Sequence, residues 1–415
     1  MRRLRFILLL TAWLAIPVSC IYDFVPETDG STGGILVVEG DILIGATTRI
    51  HLSETNVLST KGRPERTETP WAIVQLTAVK GALPVKHYDG YRVSNGDYLI
   101  DTETADPDAL YYLVIHKALK GVAFTDTYID NPTTGPALIN TYCSEMIPVI
   151  KTAPIDSLSW EVVDEKNLAV RVSTGGQSGM GSRCLKWTAR ETWEYTAARR
   201  TEYYYDQATN SILPYPYGVN YYYCWKNADA PFLMIARMED YEGDRLVDRE
   251  IYRYGNQEHK LSYLYRVDVC QQNISEEAYR YWSVINKNTC DVGGLFSPQP
   301  TEIRGNIVNQ DNPDEMVIGY LSASTVSTAR LYISNEKTHF YKGGTPFSEE
   351  SAAAIYSRDW LKYYRNGYWP FDYHQAPNQI QIYPDWWDWY PVRCLDCRVQ
   401  GGTKNKPADW PNDHQ

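Results

Sequence analysis

The sequence predicts a mainly β chain: an N-terminal β-sandwich, Ig-like or transthyretin-like, followed by a second β-rich domain with one main helix. Three observations predict it. The 34 tyrosines and 13 tryptophans, against 8 phenylalanines, favour strands and amphipathic aromatic surfaces over a helical bundle. Short extended runs bounded by Gly, Pro, Asn and Asp recur from Ile35 onward. Only one stretch, Asn273 to Asn288, carries a helical stripe. The 415 residues, 43% of them hydrophobic, suffice for about two or three domains. A net charge of -11 leaves no basic excess to neutralise phosphates, so no nucleic-acid partner is expected.

The elements follow in chain order. Arg2, Arg3 and Arg5 precede the apolar run Phe6 to Ile16, which is too short for an ordinary membrane span and ends at Pro17-Val-Ser-Cys20. Residues 1–19 are therefore read as a signal peptide. Cys20, behind the small Ser19, sits where a bacterial lipobox places its acylated cysteine, and a plain secreted chain with an ordinary thiol is the alternative. Residues 20–34 contain Pro, Gly, Ser and Thr without periodicity and read as a lipidated tether.

Residues 35–147 supply five strand-like runs: ILVVEGDILI, TTRIHLSE, WAIVQLTAV, GYRVSNGDYLID and ALYYLVIHK. Asn95-Gly96-Asp97 marks a hairpin turn, because Asn and Gly tolerate positive φ. Pro148 and Pro154 bracket a linker, 148–154. The second domain, 155–359, has strand candidates at Ser157 to Val163, Leu168 to Ser173, Cys184 to Tyr195, Asn220 to Trp225, Met316 to Leu321 and Ala329 to Ile333. Odd positions 185, 187, 189, 193 and 195 are apolar or aromatic, which gives one buried face with Glu191 as the exception. Ser275 is the expected helix cap, with Glu276 and Glu277 in the first turn. A Trp-rich, Cys-containing segment, 360–415, closes the chain.

The eight cysteines, at 20, 143, 184, 224, 270, 290, 394 and 397, suit an oxidising compartment. Cys394 and Cys397 have CxxC spacing, yet Gly401-Gly402 follows in place of the helix that a redox motif needs, and zinc would lack two ligands. The pair is expected to be oxidised and structural, in a local or cross-domain disulfide.

Motifs that carry chemistry are few. Thr174 to Ser182 is glycine-rich but lacks the Lys-Ser or Lys-Thr ending of a phosphate loop. Ser178 fails the nucleophile-elbow pattern, since Met180 replaces a required glycine. No HExxH pair occurs, so no catalytic residue, metal or cofactor is assigned. Asp385 and Asp388 flank a tryptophan cluster, as glycosidase carboxylates do, but so close a pair is common by chance in an acidic chain. Trp386, Trp387 and Trp389 are binding candidates whose flat faces suit a sugar ring or a protein partner. The plainer alternative is that they pack against the β domains.

The stretches LVVEG (36–40), RETWEY (190–195), YYCWK (222–226), ISEEAYRYW (274–282), GGLFSPQPTEIRGNI (293–307), VIGYLSAS (317–324) and CLDCRVQGGTKNKPADW (394–410) resemble the DUF4249 family of Bacteroidetes outer-membrane lipoproteins. That resemblance implies an address and a partner, an outer-membrane TonB-dependent transporter, and carries over no catalytic residue. The expected function is that of a non-catalytic accessory, as a binding, lid or docking subunit held to the membrane by its lipid on either the cell-surface or the periplasmic face. A glycan or peptide is the expected ligand class. The alternatives are an independent cell-surface glycan-binding protein and, with less support, a glycoside hydrolase.

Overall fold

The computed structural model describes residues 34–55, 71–81, 83–118, 139–176, 179–290, 304–374 and 384–411. Cys20, the signal peptide, Ser178 and the whole GGLFSPQPTEI stretch lie outside the described residues.

Alternation builds the first sheet. In β3 (Thr47–Glu54) Thr48, Ile50 and Leu52 are fully buried, whereas Arg49 and His51 point outward. The same period runs through β1 (Leu36–Gly40), β2 (Ile42–Ile44) and β7 (Leu110–Ala118), whereas β4 (Ala72–Lys80) is buried on both faces over Leu76 to Val79, β5 (Leu83–Ser94) is mostly exposed around buried Tyr88, and β6 (Asp97–Asp101) buries Asp97, Tyr98 and Ile100. Their inward residues share a single apolar core. The spatial order β3-β6-β5-β4 is a Greek key, and Gly96, at φ 82°, makes the expected β5–β6 turn.

The first sheet does not end at residue 147, nor is 148–154 wholly a linker. β8 (Ile139–Ser144) pairs with β7, and β9 (Ile147–Ile150) pairs with β7 through Ile147 and Pro148. Only Lys151 to Pro154 connect. Two strands from far downstream then return to this sheet: β19 (Ile307–Asn309) beside β8, and β20 (Ala323–Thr325) in parallel between β9 and β2. Strands from before and after the expected linker thus form one continuous sheet. The physical reason is that β2 and β8 each need a hydrogen-bonding neighbour that the local sequence does not provide.

The central β region is itself two sheets over one core. β10 (Ile155–Val162), β11 (Asn167–Thr174) and β17 (Leu246–Gly255) form one; β12 (Cys184–Thr196), β15 (Tyr223–Asp229), β16 (Met234–Arg237), β18 (Leu264–Ile274) and β21 (Ser327–Ser334) form the other. Leu185, Trp187 and Ala189 meet Val170, Val172, Tyr254 and Val267 in that core. Glu191, the exception in the alternation, is buried because Lys260 Nζ (2.8 Å) and Tyr265 OH (2.7 Å) donate to it. The longest helix among the described residues, α1 (Glu276–Cys290), starts where Ser275 Oγ accepts from Ala278 N, and it lays Ala278 and Trp282 against Cys184 at the sheet margin.

The C-terminal segment is stitched to what precedes it. β22 (Ala353–Tyr356), β24 (Trp386–Pro391) and β23 (Tyr368–Tyr373) make a three-stranded sheet, so one of its strands lies before residue 360. Tyr205, from β13 (Tyr203–Asp206), completes its core, and β13 pairs in turn with β14 (Ser211–Pro214).

Candidate functional site

Between the first sheet and the central sheet lies a cleft of about 740 Å³. The even positions of β12, opposite its buried odd face, supply the floor. Register places Lys186 beside Gln272, Thr188 beside Cys270 and Thr328, and Arg190 beside Asp268 and Arg330. This row runs from buried Lys186 through half-buried Thr188 to exposed Arg190, so the cleft has a closed end and an open one.

The facing wall is β1 to β3. Gly40, at φ 140°, breaks the apolar run ILVVEGDILI into β1 and β2, and a Cβ there would collide with the Arg49 carbonyl, so only glycine fits. The break turns Asp41 toward the central sheet. Its Oδ2 accepts from Lys186 Nζ, with side chains 9% and 2% exposed, and Lys186 also sits 4.9 Å from the Trp282 ring centroid. Asp41 Oδ1 is buried with no hydrogen-bond partner among the described residues. At the open end Arg49 Nη1 donates to Asp229 (2.6 Å), and Arg49 Nε to Asp97 (2.9 Å). Two ionic bridges therefore tie the sheets together across the cleft.

Charge and burial set what this site can do. Burial pushes the Cys270 thiol up to about 11, so at neutral pH it is protonated and a poor nucleophile. Asp229 and Asp97 outweigh partial burial and raise the Arg49 guanidinium above its ordinary value. Among the described residues no group of three His, Cys, Asp or Glu is placed to hold a metal ion. The cleft offers recognition groups: the Asp41 acceptor at depth, Arg190 at the mouth, and Leu43, Phe232 and Val326 as half-buried apolar surface.

The residues singled out from sequence lie elsewhere. Cys397 is oxidised, but its partner is Cys224 on β15; Cys394 is a buried free thiol, which corrects the expectation that both CxxC cysteines are bridged. The reason is local: Val392–Leu395 forms a short helical turn that buries Cys394 against Phe347 and Tyr390, while Cys397 faces β15. Cys143, Cys184 and Cys270 are also free. Trp387 and Trp389 are 2% and 0% exposed in the core of the C-terminal sheet. Trp386 is half-buried, with Tyr356 stacked at 5.0 Å and His374 packed at 3.9 Å. Trp387 and Trp389 thus serve packing, and Trp386 keeps only part of its ring exposed beside Tyr356 and His374. Asp388 is held by His374 Nδ1 (2.6 Å), whereas Asp385 is exposed just before β24, so the two acids form no convergent pair.

Sequence reasoning missed the cleft residues. The polar even positions of β12 read as a solvated face, and Asp41 was hidden inside an apparently continuous strand. The available signal was the pair Gly40-Asp41 interrupting an apolar run.

The family model described as "Domain of unknown function (DUF4249)" matches residues 21–330. No curated protein matches the chain. The matched region contains both walls of the cleft.

Proposed function

The chain belongs to the DUF4249 family, and from that premise we propose that it is a lipid-anchored outer-membrane protein of Bacteroidetes, a non-catalytic accessory that holds a ligand for a TonB-dependent transporter. The observation that carries the reading is the cleft, whose volume falls in the range of about 300–1,000 Å³ typical of ligand sites and whose floor and wall come from different sheets. The basic start, short apolar run and Ser19-Cys20 support lipidation. A lipid confines the chain to a surface, so a partner in the same membrane meets it at high effective concentration and a modest contact suffices. The transporter is the partner class that the family resemblance implies.

The glycan-binding and hydrolase alternatives drew on the tryptophans and on Asp385 with Asp388. With those rings packed and those acids apart, neither has an observation in its favour. Affinity purification of the tagged chain from detergent-solubilised membranes, read by mass spectrometry, tests the proposal. Recovery of a TonB-dependent transporter is expected; its absence overturns the accessory role. Palmitate label on wild type but not on Cys20→Ala is expected, and label retained by the variant overturns the anchor.

A further inference from the structure

We infer that the cleft binds the two charged ends of a short zwitterionic peptide, with the amino terminus at Asp41 and the carboxylate at Arg190. The inference rests on the cleft being a ligand site and adds the class of ligand.

Three observations lead there. Asp41 keeps one buried carboxylate oxygen without a partner, although its other oxygen is engaged by Lys186. A buried acceptor left unpaired costs about 1–3 kcal/mol, so an incoming N–H donor is favoured at that atom. Glu39 stands on the same wall two residues from Asp41, exposed and in no ion pair among the described residues, so that wall carries two carboxylates near the single ammonium of Lys186. At the mouth, Arg190 is exposed and in no ion pair among the described residues, because its register neighbours Asp229 and Asp268 are engaged by Arg49 and Arg330. A guanidinium fork of this kind suits a carboxylate.

Spacing then sets the length. Lys186 and Arg190 are four residues apart on one strand, about 13 Å at ~3.3 Å per residue. At up to ~3.6 Å per residue an extended tripeptide reaches about 11 Å and a tetrapeptide about 14 Å, so three to four residues bring the carboxylate within reach of the long Arg190 side chain. Its side chains would meet Leu43, Phe232 and Val326, which offer apolar contact without further charge.

The test is calorimetric titration of the full chain in detergent with trialanine, N-acetyl-trialanine and trialaninamide. Trialanine is expected to bind, and each blocked form to bind about tenfold or more weakly. Arg190→Gln should erase the difference between trialanine and its amide, and Asp41→Asn the difference between trialanine and its acetyl form. Asp41→Asn strips Lys186 of its counter-charge, so a thermal melt accompanies it. Glu39→Gln, at an exposed position, provides a second variant and should shrink the same difference with folding intact. Absence of trialanine binding up to about 10 mM, equal binding of all three peptides, or unchanged discrimination in both Arg190→Gln and Glu39→Gln overturns the inference. Recovery of a transporter without peptide binding leaves the accessory role standing and removes only the ligand; peptide binding without a transporter does the reverse.

Discussion

Cys397 is joined to Cys224 across 173 residues of chain, and both are fully buried. The bond fastens the C-terminal segment to β15, where Tyr195 OH also donates to the Cys397 carbonyl at 2.8 Å. Digestion without reduction should yield one cross-linked peptide pair containing Cys224 and Cys397. Cys394 should react with alkylating reagent only after unfolding. Replacing both bridged cysteines by alanine should lower stability by about 2–5 kcal/mol in denaturant titration. A Cys394–Cys397 linked peptide would contradict the assignment.

The neighbouring tryptophans should separate by burial. Trp389→Ala removes a fully buried indole that touches Tyr205 and Trp360, and should cost about 3–5 kcal/mol. Trp387→Ala should behave alike. Trp386→Ala removes a half-buried ring and should cost distinctly less in the same unfolding measurement. Equal losses at 386 and 389 would mean that the outer face is as tightly packed as the inner.

Stability should fall on mild acidification. Burial lowers His259, and it lowers His116 against a weaker opposing pull from Asp311. A group lowered in the folded state leaves the unfolded chain binding more protons between the two values. The stability linked to these histidines is therefore complete above about pH 6.5 and is lost as pH falls through their lowered values. Thermal midpoints between pH 7.5 and 5 should drop, and His116→Gln with His259→Gln should flatten the drop. Asp97 acts in a lower window. Partial burial raises it, but hydrogen bonds from Ser94 and His51 and the charge of Arg49 together hold it below the usual carboxylate value. Its contribution is present above about pH 3.9 and is lost below, so Asp97→Asn should change the profile only there.

Much of the fold was legible because period-two alternation and turn chemistry are local. The Asn95-Gly96 turn, the buried odd positions Leu185, Trp187 and Ala189 and the Ser275 cap each depend on neighbours within a few residues, and each is where the pattern put it; beyond Arg190 the alternation fails, since Thr192 and Glu194 are buried and Trp193 only half so. Pairing partners are another matter. Nothing near Ala323 says that its strand lies between β2 and β9, and the CxxC spacing gives no hint that Cys397 turns to Cys224. The cleft was invisible for a related reason: Lys186, Thr188 and Arg190 have the same alternation whether they face water or a second sheet.

The return of Ile307–Asn309 and Ala323–Thr325 to the first sheet governs the order in which the chain acquires structure during synthesis. The edge of Ile42–Ile44 emerges early, but its partner emerges only after most of the chain has been made, on the order of tens of seconds later at typical elongation rates. Throughout that interval an open strand edge is available to other unfinished chains. A fragment ending near residue 147 keeps that edge permanently. Expressed alone, it should aggregate unless residues 304–325 are supplied with it.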